Sequence, residues 1–512
     1  MSSRSVESVD VAGSDAPARG GVRSAFAKYP LLATLYPLVR DSTVYLAGAV
    51  VIGLGNFVLV PLYTRFLTPA DFGAYALVEI SLLITVTVTQ LGLGTTYLRW
   101  YAETEPAHRG EILASSVAAA SLAAAIAGFA LAEIVRGPLG GEWLAGHRLD
   151  AWLLWPVVFL RTCEAIFLSS LQAAQRPFAY GVSAVTRLLG LVAAGYWFVA
   201  VHREGVVGVL RGWVVGDAAC VLVLLVFCLP NMRLRVRWHL LRAMLRYGLP
   251  LVWSALMGLL LDASGRYILA HFQNLTEVAR YAVGVKITNI LAMGFLQPFG
   301  NAWAGAVFPI SHRPNAPITY TKIIGYALVV AALLAALIIL FGPLVIRVFA
   351  GSAYTSVQRF LPWLLLPVIF RLLEYWSSLP IYLQYKTHWL GPLATAEMLL
   401  CVLLNYFLVP RFGALGAALA WTAALAGGIA AMTLIGRRCY ALPFDWRTFG
   451  FAASLWGIAA AASPFLSAFT RRQTLGISLF ISFALVLACS LYFLWDLRAS
   501  KLLFKTEAYA AD

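Results

Sequence analysis

Long apolar segments recur along almost the whole chain, from Val44 to Leu494. A helix that spans a bilayer needs about 20 predominantly apolar residues. Fourteen segments of this kind can be delimited, each ending at charged or turn-forming residues: 43–66, 73–98, 112–135, 151–174, 178–200, 206–229, 247–271, 278–308, 320–348, 360–384, 388–408, 413–436, 448–468 and 474–496. The sequence therefore predicts an all-α polytopic membrane protein with about 14 transmembrane helices.

Composition excludes a soluble enzyme and a nucleic-acid module. Apolar residues occupy 61% and charged residues 12% of the 512 positions, whereas soluble domains average about 45–50% apolar and about 25% charged residues. One soluble core cannot hide this excess, because a protein of this mass also needs a polar surface. The net charge of +15 is therefore assigned to loops that set orientation and contact anionic lipid. No nucleic-acid partner is expected.

Basic residues in the loops predict the orientation of the chain. If the N-terminus is cytoplasmic, 22 Lys and Arg residues fall on the inside and 10 on the outside. Cytoplasmic loops carry the excess of basic residues in membrane proteins. Both termini are therefore predicted to be cytoplasmic.

The first six segments match the next six at an offset of 206–210 residues. The matches that keep their spacing are Phe66 and Tyr75 with Phe272 and Tyr281; Arg161, Glu164 and Arg176 with Arg371, Glu374 and Lys386; and Gly205, Gly208 and Trp213 with Gly413, Gly416 and Trp421. Six is an even number, so the two halves share an orientation and are related by a pseudo-two-fold axis along the membrane normal. Two such bundles around a central cavity are a transporter arrangement.

The repeat predicts a division of the chain into six parts. They are a cytoplasmic tail and interfacial lead-in (1–40), an N-terminal six-helix lobe (41–230), a basic cytoplasmic linker (231–246), a C-terminal six-helix lobe (247–436), two appended transmembrane helices (437–496) and a cytoplasmic tail (497–512).

Charged residues inside the apolar segments are the candidate functional residues, because such residues are costly in a membrane and usually face a cavity or a partner. The cations are Arg161, Arg187, Arg211, Arg266, Lys286 and Arg371, and the anions are Glu79, Glu164, Asp217, Asp262, Glu374 and Glu397. Helical spacing allows three pairs to neutralise each other, namely Arg161–Glu164, Asp262–Arg266 and Arg371–Glu374. Four residues have no opposite charge nearby in sequence: Arg187, Lys286, Glu79 and Glu397.

These charges leave several interpretations open. Buried cations suit an anionic substrate, because the arginine fork matches phosphate oxygens two at a time. The same cations could instead form salt bridges between helices or extend to the membrane interface. The carboxylates suit proton or sodium coupling, since burial lets a carboxylate titrate, or they balance the cations.

Signatures of enzymes are missing from the sequence. There is no G-x-x-x-x-G-K-[ST] or H-E-x-x-H motif, no D-x-D, and the longest predicted outside loop covers only about residues 136–150. The six cysteines lie mostly within apolar segments without metal-ligand spacing. We therefore expect a membrane transporter rather than an enzyme, with no catalytic residues, no cofactor and no metal site.

Three stretches carry a resemblance to a known family: T-R-F-L-T-P-A-D-F-G-A-Y at 64–75, R-Y-G-L-P at 246–250, and L-V-P-R-F-G-A-L-G-A-A-L-A at 408–420. Together with the span count and the repeat, they resemble Wzx-type polysaccharide flippases of the multidrug/oligosaccharidyl-lipid/polysaccharide exporter superfamily. The resemblance covers roughly residues 38–496.

The resemblance implies a flippase of the bacterial inner (plasma) membrane. Such a protein moves an undecaprenyl-pyrophosphate-linked oligosaccharide from the cytoplasmic to the periplasmic leaflet by alternating access, for lipopolysaccharide O-antigen, capsule or exopolysaccharide assembly. The implied partners are the polyprenyl-pyrophosphate-linked glycan, membrane lipids, and a glycan polymerase or export machinery. Without an ATP motif, the energy would come from an ion gradient, the membrane potential or downstream consumption.

Three alternatives remain at the level of sequence. They are a lipid II flippase of peptidoglycan synthesis, a cation-coupled drug exporter of the same superfamily, and a non-transporting scaffold of a glycan synthesis complex. The six cations favour an anionic substrate over a drug.

Overall fold

The computed structural model describes residues 58–137, 150–233, 235–311, 315–438, 440, 442–466 and 471–508, which form sixteen α-helices and no β-strand. In chain order the helices are α1 (Pro69–Thr89), α2 (Leu93–Glu103), α3 (Arg109–Arg136), α4 (Leu154–Ala173), α5 (Pro177–Gly195), α6 (Gly205–Cys228), α7 (Trp238–Phe272), α8 (Leu275–Leu291), α9 (Gln297–Ser311), α10 (Ala316–Leu340), α11 (Gly342–Phe349), α12 (Leu361–Leu383), α13 (Leu390–Phe412), α14 (Ala414–Arg437), α15 (Trp446–Leu466) and α16 (Arg471–Ala508). Residues 58–66 are also helical.

Within the described residues, thirteen helical segments are long and apolar enough to cross a membrane. They coincide one for one with the second to fourteenth predicted segments, and α1 with α2 and α8 with α9 each form one of them. The first predicted segment, 43–66, lies outside the described residues except for 58–66, as does the predicted lead-in at 1–40. The prediction of an all-α, multi-pass membrane protein is confirmed.

One predicted span is shorter than expected. The segment 320–348 is divided, because α10 ends at Leu340 and α11 begins at Gly342. Pro343 lies in the first turn of α11. Proline has no N–H for the helical ladder and is tolerated only in the first turn, so the apolar run cannot continue as one helix.

The repeated motif before α1 and α8 is a helix N-cap in both halves of the chain. The Oγ1 atom of Thr68 accepts a hydrogen bond from the backbone N–H of Asp71 at 3.1 Å. The Oδ1 atom of Asn274 accepts one from the N–H of Glu277 at 2.9 Å. Ser, Thr, Asp and Asn are the preferred caps because their side chains satisfy N–H groups in the first turn. The repeat therefore marks where a helix begins.

The repeated glycines before α6 and α14 have a backbone explanation. Gly205 and Gly413 have positive φ angles, +61° and +56°, which glycine adopts without steric cost. A Cβ on Gly208 would lie 2.9 Å from the carbonyl oxygen of Phe198, and one on Gly416 would lie 2.4 Å from that of Leu408. Each second glycine thus lets its helix fold back tightly against the preceding one.

The two sets of helices pack in parallel ways. We call residues 69–231 the N-half and residues 238–437 the C-half. In the N-half α3 packs on α4, and α6 packs on α4 and α5. In the C-half α10 packs on α12, and α14 packs on α12 and α13. The corresponding pairs involve the spans that match each other in the sequence repeat.

The halves meet where α1 and α2 contact α7 and α8, a surface that we call the inter-half boundary. Two glycines bring the backbones together there. A Cβ on Gly73 would lie 1.9 Å from the carbonyl oxygen of Leu275, and one on Gly92 would lie 2.5 Å from that of Gly248. Gly92 also has a φ of +70° at the break between α1 and α2. Only glycine combines this positive φ with the close backbone contact at Gly248.

The last two spans attach to the C-half. Helix α15 packs on α10, and α16 contacts both. The Oγ atom of Ser478 donates to the carbonyl oxygen of Leu340 at 2.8 Å, and the Nε2 atom of Gln358 donates to the Oγ atom of Ser463 at 2.8 Å. Because these polar contacts are buried, they fix the appended helices to the C-half.

Candidate functional site

Four of the predicted charges meet in the N-half, in a group that we call the α4–α6 cluster. The Nε atom of Arg161 in α4 donates to Oδ2 of Asp217 in α6 at 2.8 Å. The Nε atom of Arg187 in α5 donates to Oδ1 of Asp217 at 3.0 Å and lies 3.2 Å from Oε2 of Glu164 in α4. The side chain of Asp217 is 0% exposed and those of both arginines are 18% exposed. The cluster is formally neutral.

Small residues allow α5 and α6 to approach closely enough for these pairs. A Cβ on Gly190 would lie 3.0 Å from the Cα of Gly216, and one on Gly212 would lie 3.2 Å from the Cα of Gly195. Helices in membranes commonly pack through small residues that bring their backbones together. The glycine pattern therefore places Asp217 within reach of both arginines.

The two arginines of the α4–α6 cluster keep part of their hydrogen-bonding capacity unused. Each donates through Nε. The terminal nitrogens of Arg161 and Arg187 make no hydrogen bond to any residue that the structure describes. The guanidinium of Arg161 lies over the ring of Trp213, 4.5 Å from its centroid. The carboxylates and the ring thus hold the guanidinium groups in place, and the terminal donors stay available.

A second group of charges spans the inter-half boundary. The Nζ atom of Lys286 in α8 lies 2.8 and 2.9 Å from the two carboxylate oxygens of Glu79 in α1. The hydroxyl of Tyr75 donates to Oε1 of Glu79 at 2.9 Å. The side chain of Lys286 is 13% exposed and that of Glu79 is 23% exposed. Because its two charges come from different halves, this pair has to separate if the halves move apart there.

A third pair lies within α7. The Nη2 atom of Arg266 is 3.5 Å from Oδ2 of Asp262, at the helical spacing expected from sequence. The side chain of Arg266 is only 7% exposed. Its Nε atom and the Oδ1 atom of Asp262 are buried without a hydrogen-bond partner among the described residues. A buried donor without a partner is costly, so Arg266 is able to donate to an oxygen atom of a ligand.

The C-half contains the repeat equivalent of the Arg161 and Glu164 positions in α4. The Nη1 atom of Arg371 donates to Oε2 of Glu374, one turn away in α12, at 2.7 Å. Glu397 in α13 is buried, and a Cβ on Gly428 in α14 would lie 2.7 Å from its Oε2 atom. This group has one cation and two carboxylates, so it is more acidic than the α4–α6 cluster.

Arg211 lies apart from the buried groups. Its Nη1 atom pairs with Oε1 of Glu204 at 2.8 Å, and its side chain is 45% exposed. Glu204 immediately precedes α6. Arg211 thus belongs to the end of a span, and its ion pair within the described residues is with Glu204, which is not a predicted site residue.

One pairing that helical spacing allowed is not formed, because Arg161 pairs with Asp217 rather than with its helical neighbour Glu164. Arg187, Lys286 and Glu79 have no opposite charge nearby in sequence, and each is in an ion pair with another helix, which is one of the interpretations that the sequence left open. The number of cations therefore does not by itself separate an anion carrier from a drug exporter. Tyr75 and Trp213, absent from the sequence-based set, contact these charges; their matched positions in the repeat were the available signal.

Two cavities in the described part of the chain lie away from these charges. One, of about 1180 Å³, lies among α10, α11, α12, α15 and α16. The other, of about 390 Å³, lies at the end of the N-half that carries Arg109 and Arg176. Neither of these two is lined by any of the six predicted cations.

The fold has counterparts among solved transporter structures. A structure described as the lipid II flippase MurJ in an inward closed conformation superposes with a TM-score of 0.68 and 13% identity, over 90% of this chain and 99% of that chain. An inward-facing multidrug resistance MATE family transporter of the MOP superfamily gives 0.62 and 15%, over 76% of this chain and 94% of that one. An outward-facing form gives 0.53 and 15%, over 78% and 94%. The fold is that of MurJ and the MATE transporters.

Sequence comparison gives the family. Residues 38–313, more than half of the chain, match the model of the family described as polysaccharide biosynthesis protein. The chain belongs to this family. A comparison with curated protein sequences found no match. The resemblance to the flippase superfamily, expected from three short stretches, is thus confirmed by both the family and the fold.

Proposed function

We propose that this protein is a flippase that moves an undecaprenyl-pyrophosphate-linked oligosaccharide from the cytoplasmic to the periplasmic leaflet, for O-antigen, capsule or exopolysaccharide assembly. The observation that carries the proposal is the α4–α6 cluster. Its two arginines are held in place through Nε, and their terminal nitrogens have no hydrogen-bond partner among the described residues. Family membership supports a glycan as cargo. The protein acts as a transporter and not as an enzyme.

The chemistry of the cargo explains why such arginines are useful. A pyrophosphate cannot enter hydrocarbon unaided, because an unpaired charge loses its hydration there. The terminal nitrogens of Arg161 and Arg187 would donate to phosphate oxygens, a geometry that the guanidinium fork matches. Asp217 and Glu164 balance the arginines when no cargo is bound. The polyprenyl tail remains in lipid throughout.

Alternating access would involve the inter-half boundary. The Glu79–Lys286 pair and the close backbone contacts at Gly73 and Gly92 hold the halves together in this structure. We infer that a central cavity lined by Arg161, Arg187, Arg266, Lys286 and Arg371 opens when these contacts separate. Asp262 and Glu397 are the proposed coupling groups, because both carry a carboxylate at membrane depth near a cation.

The proposed setting is the bacterial inner membrane, with both termini in the cytoplasm. The excess of loop Lys and Arg on that side, 22 against 10, supports this orientation. The cargo and membrane lipids are the proposed partners, with a glycan polymerase or export machinery acting after release.

A lipid II flippase is the second candidate. The comparison with MurJ covers 90% of this chain, compared with 76% for the inward-facing MATE transporter. The structural similarity therefore covers more of this chain for the lipid II flippase than for the MATE transporter. The cargo of a lipid II flippase also bears a polyprenyl pyrophosphate. The two candidates share the phosphate chemistry and differ in the sugar.

The test uses the full chain reconstituted in vesicles. Fluorescent undecaprenyl-pyrophosphate-linked oligosaccharide and fluorescent lipid II are incorporated separately, and a membrane-impermeant quencher reports which leaflet each occupies. We expect protein-dependent exchange of the oligosaccharide lipid and little exchange of lipid II. Exchange of lipid II alone would select the second candidate. If neither the oligosaccharide lipid nor lipid II is exchanged, the result would contradict a flippase and leave a scaffold.

A further inference from the structure

The cavity of about 390 Å³ at one end of the N-half has the composition of an anion site. Three arginines line it, Arg109, Arg176 and Arg233, together with the rings of Tyr97 and Tyr101, and no Asp or Glu is among its lining residues. Its volume lies in the range of small-ligand pockets, about 300–1,000 Å³. A concave site with three cations and no anion in its lining attracts a negatively charged group.

No carboxylate among the described residues pairs with the arginines of this cavity. The Nε atom of Arg109 donates to the carbonyl oxygen of Thr104 at 3.2 Å, and its guanidinium lies 4.3 Å from the centroid of the Tyr101 ring. Arg176 and Arg233 form no ion pair with a residue that the structure describes. Glu111, in the first turn of α3, is already engaged by Arg237 and is buried. Within the described part of the chain, no carboxylate therefore neutralises these three positive charges.

Backbone contacts fix the segments that carry the arginines of this cavity. The backbone N–H of Arg233 donates to the carbonyl oxygen of Gly110 at 3.1 Å. A Cβ on Gly110 would lie 2.4 Å from the carbonyl oxygen of Asn231, so glycine lets the segment after α6 close onto the start of α3. The backbone before Arg176 turns through Gln175, whose φ is +52°. These contacts bring arginines from three separate segments to one cavity.

The cavity lies at one end of several membrane-spanning helices. Its walls include Leu113, Leu171 and Phe227, which belong to membrane-spanning helices, and its arginines lie at the ends of those helices. It is separate from the α4–α6 cluster, because Ala174 follows Glu164 by ten residues, about 15 Å along a helix. The inference therefore does not rest on the proposed function.

We propose that this cavity binds a phosphate group, through Arg109, Arg176 and Arg233. Arginine is suited to the task because its planar donors contact two oxygens of one phosphate. The tyrosine rings and the apolar wall contact the remainder of the phosphorylated molecule. The phosphate comes either from an anionic lipid that enters from the bilayer or from a soluble phosphorylated compound, and the two sources present the same chemistry to the arginines.

The test compares three versions of the full-length protein purified in detergent: wild type, the double variant Arg176→Gln/Arg233→Gln, and the control Arg203→Gln. Arg203 is an exposed residue at the opposite end of the N-half, so the control removes a positive charge outside the cavity. Thermal unfolding checks that all three remain folded. One arm titrates inorganic pyrophosphate by calorimetry. The other measures retention of phosphatidic acid by native mass spectrometry.

Wild type and Arg203→Gln should bind at least one probe, and the double variant should bind it about tenfold or more weakly, since a hydrogen bond to a charged group contributes about 1.5–3 kcal/mol. Binding of phosphatidic acid alone identifies a lipid source, and binding of pyrophosphate alone identifies a soluble one. Displacement of the lipid by pyrophosphate shows that one site accepts both. Binding of neither probe, or equal binding by all three proteins, overturns the proposal.

Discussion

Replacing Arg187 tests both the stability and the chemistry of the α4–α6 cluster. Arg187→Ala removes the cation that contacts Asp217 at 3.0 Å and Glu164 at 3.2 Å. Asp217 keeps Arg161 at 2.8 Å, whereas Glu164 loses the ion pair formed in the described structure. The formal charge of the cluster falls from zero to −1 at sites that are 0% and 6% exposed. Breaking a buried pair costs about 3–5 kcal/mol.

The assay measures thermal unfolding of the detergent-purified protein and its abundance in the membrane. Arg187→Ala should lower both. Adding Glu164→Gln should recover most of the loss, because it removes the carboxylate left without a partner. Arg187→Lys should recover part, since an ammonium restores the positive charge but not the Nε position that reaches both carboxylates. If Arg187→Ala were as stable as wild type, or if Glu164→Gln added nothing, the cluster would not contribute to stability as argued.

The double variant also separates stability from transport. Arg187→Ala/Glu164→Gln should be folded but inactive in the vesicle exchange assay, because the terminal nitrogens of Arg187 are proposed to bind pyrophosphate. Restored stability together with wild-type exchange would refute a substrate contact at Arg187. It would leave Arg187 as a purely structural residue.

Three further predictions concern the boundary and the topology. The double variant Glu79→Lys/Lys286→Glu, which exchanges the charges of the inter-half pair, should retain more transport than either single variant, because only the double variant preserves an attraction. Equal loss of transport in all three variants would show that the pair is not formed. Gly92→Ala should lower the unfolding temperature, because a side chain at its positive φ is strained by about 1–2 kcal/mol and contacts the backbone of Gly248. The control Gly305→Ala places its side chain in open space and should not lower the unfolding temperature. Reporter fusions at the C-terminus and within 138–147 should report opposite sides of the membrane, and the same side for both would show that the span count is wrong.

Much of the fold follows from local sequence properties. Helical spans were predictable because membrane thickness fixes their length and an apolar run of that length is unambiguous. The break at Phe341 was missed because the hydropathy of 320–348 hides the effect of Pro343 on the hydrogen-bond ladder. The repeat holds a capping residue at equivalent positions of the two halves, Thr68 and Asn274, because a helix start has a local signature.

The charges show where local reasoning ends. The Asp262–Arg266 and Arg371–Glu374 pairs follow from helical spacing, and both are present. The partner of Lys286 is 207 residues away in sequence, so no spacing rule reveals it. Glu164 was assigned to Arg161 because the two are helical neighbours, but the glycine contacts between α5 and α6 bring Arg187 and Asp217 into the same cluster. Partners across helices depend on packing, which hydropathy does not report.

The α4–α6 cluster has a consequence for how the protein is made. Helix α5 carries Arg187 near its middle, and inserting one arginine there costs about 2.5–3.5 kcal/mol on translocon scales. The carboxylate of Glu164 is already present when α5 emerges from the ribosome, but that of Asp217 is synthesised 30 residues later. Complete neutralisation of Arg187 therefore has to wait for α6. Helices α4, α5 and α6 should leave the translocon as one unit, so that assembly of the cluster is part of membrane integration itself.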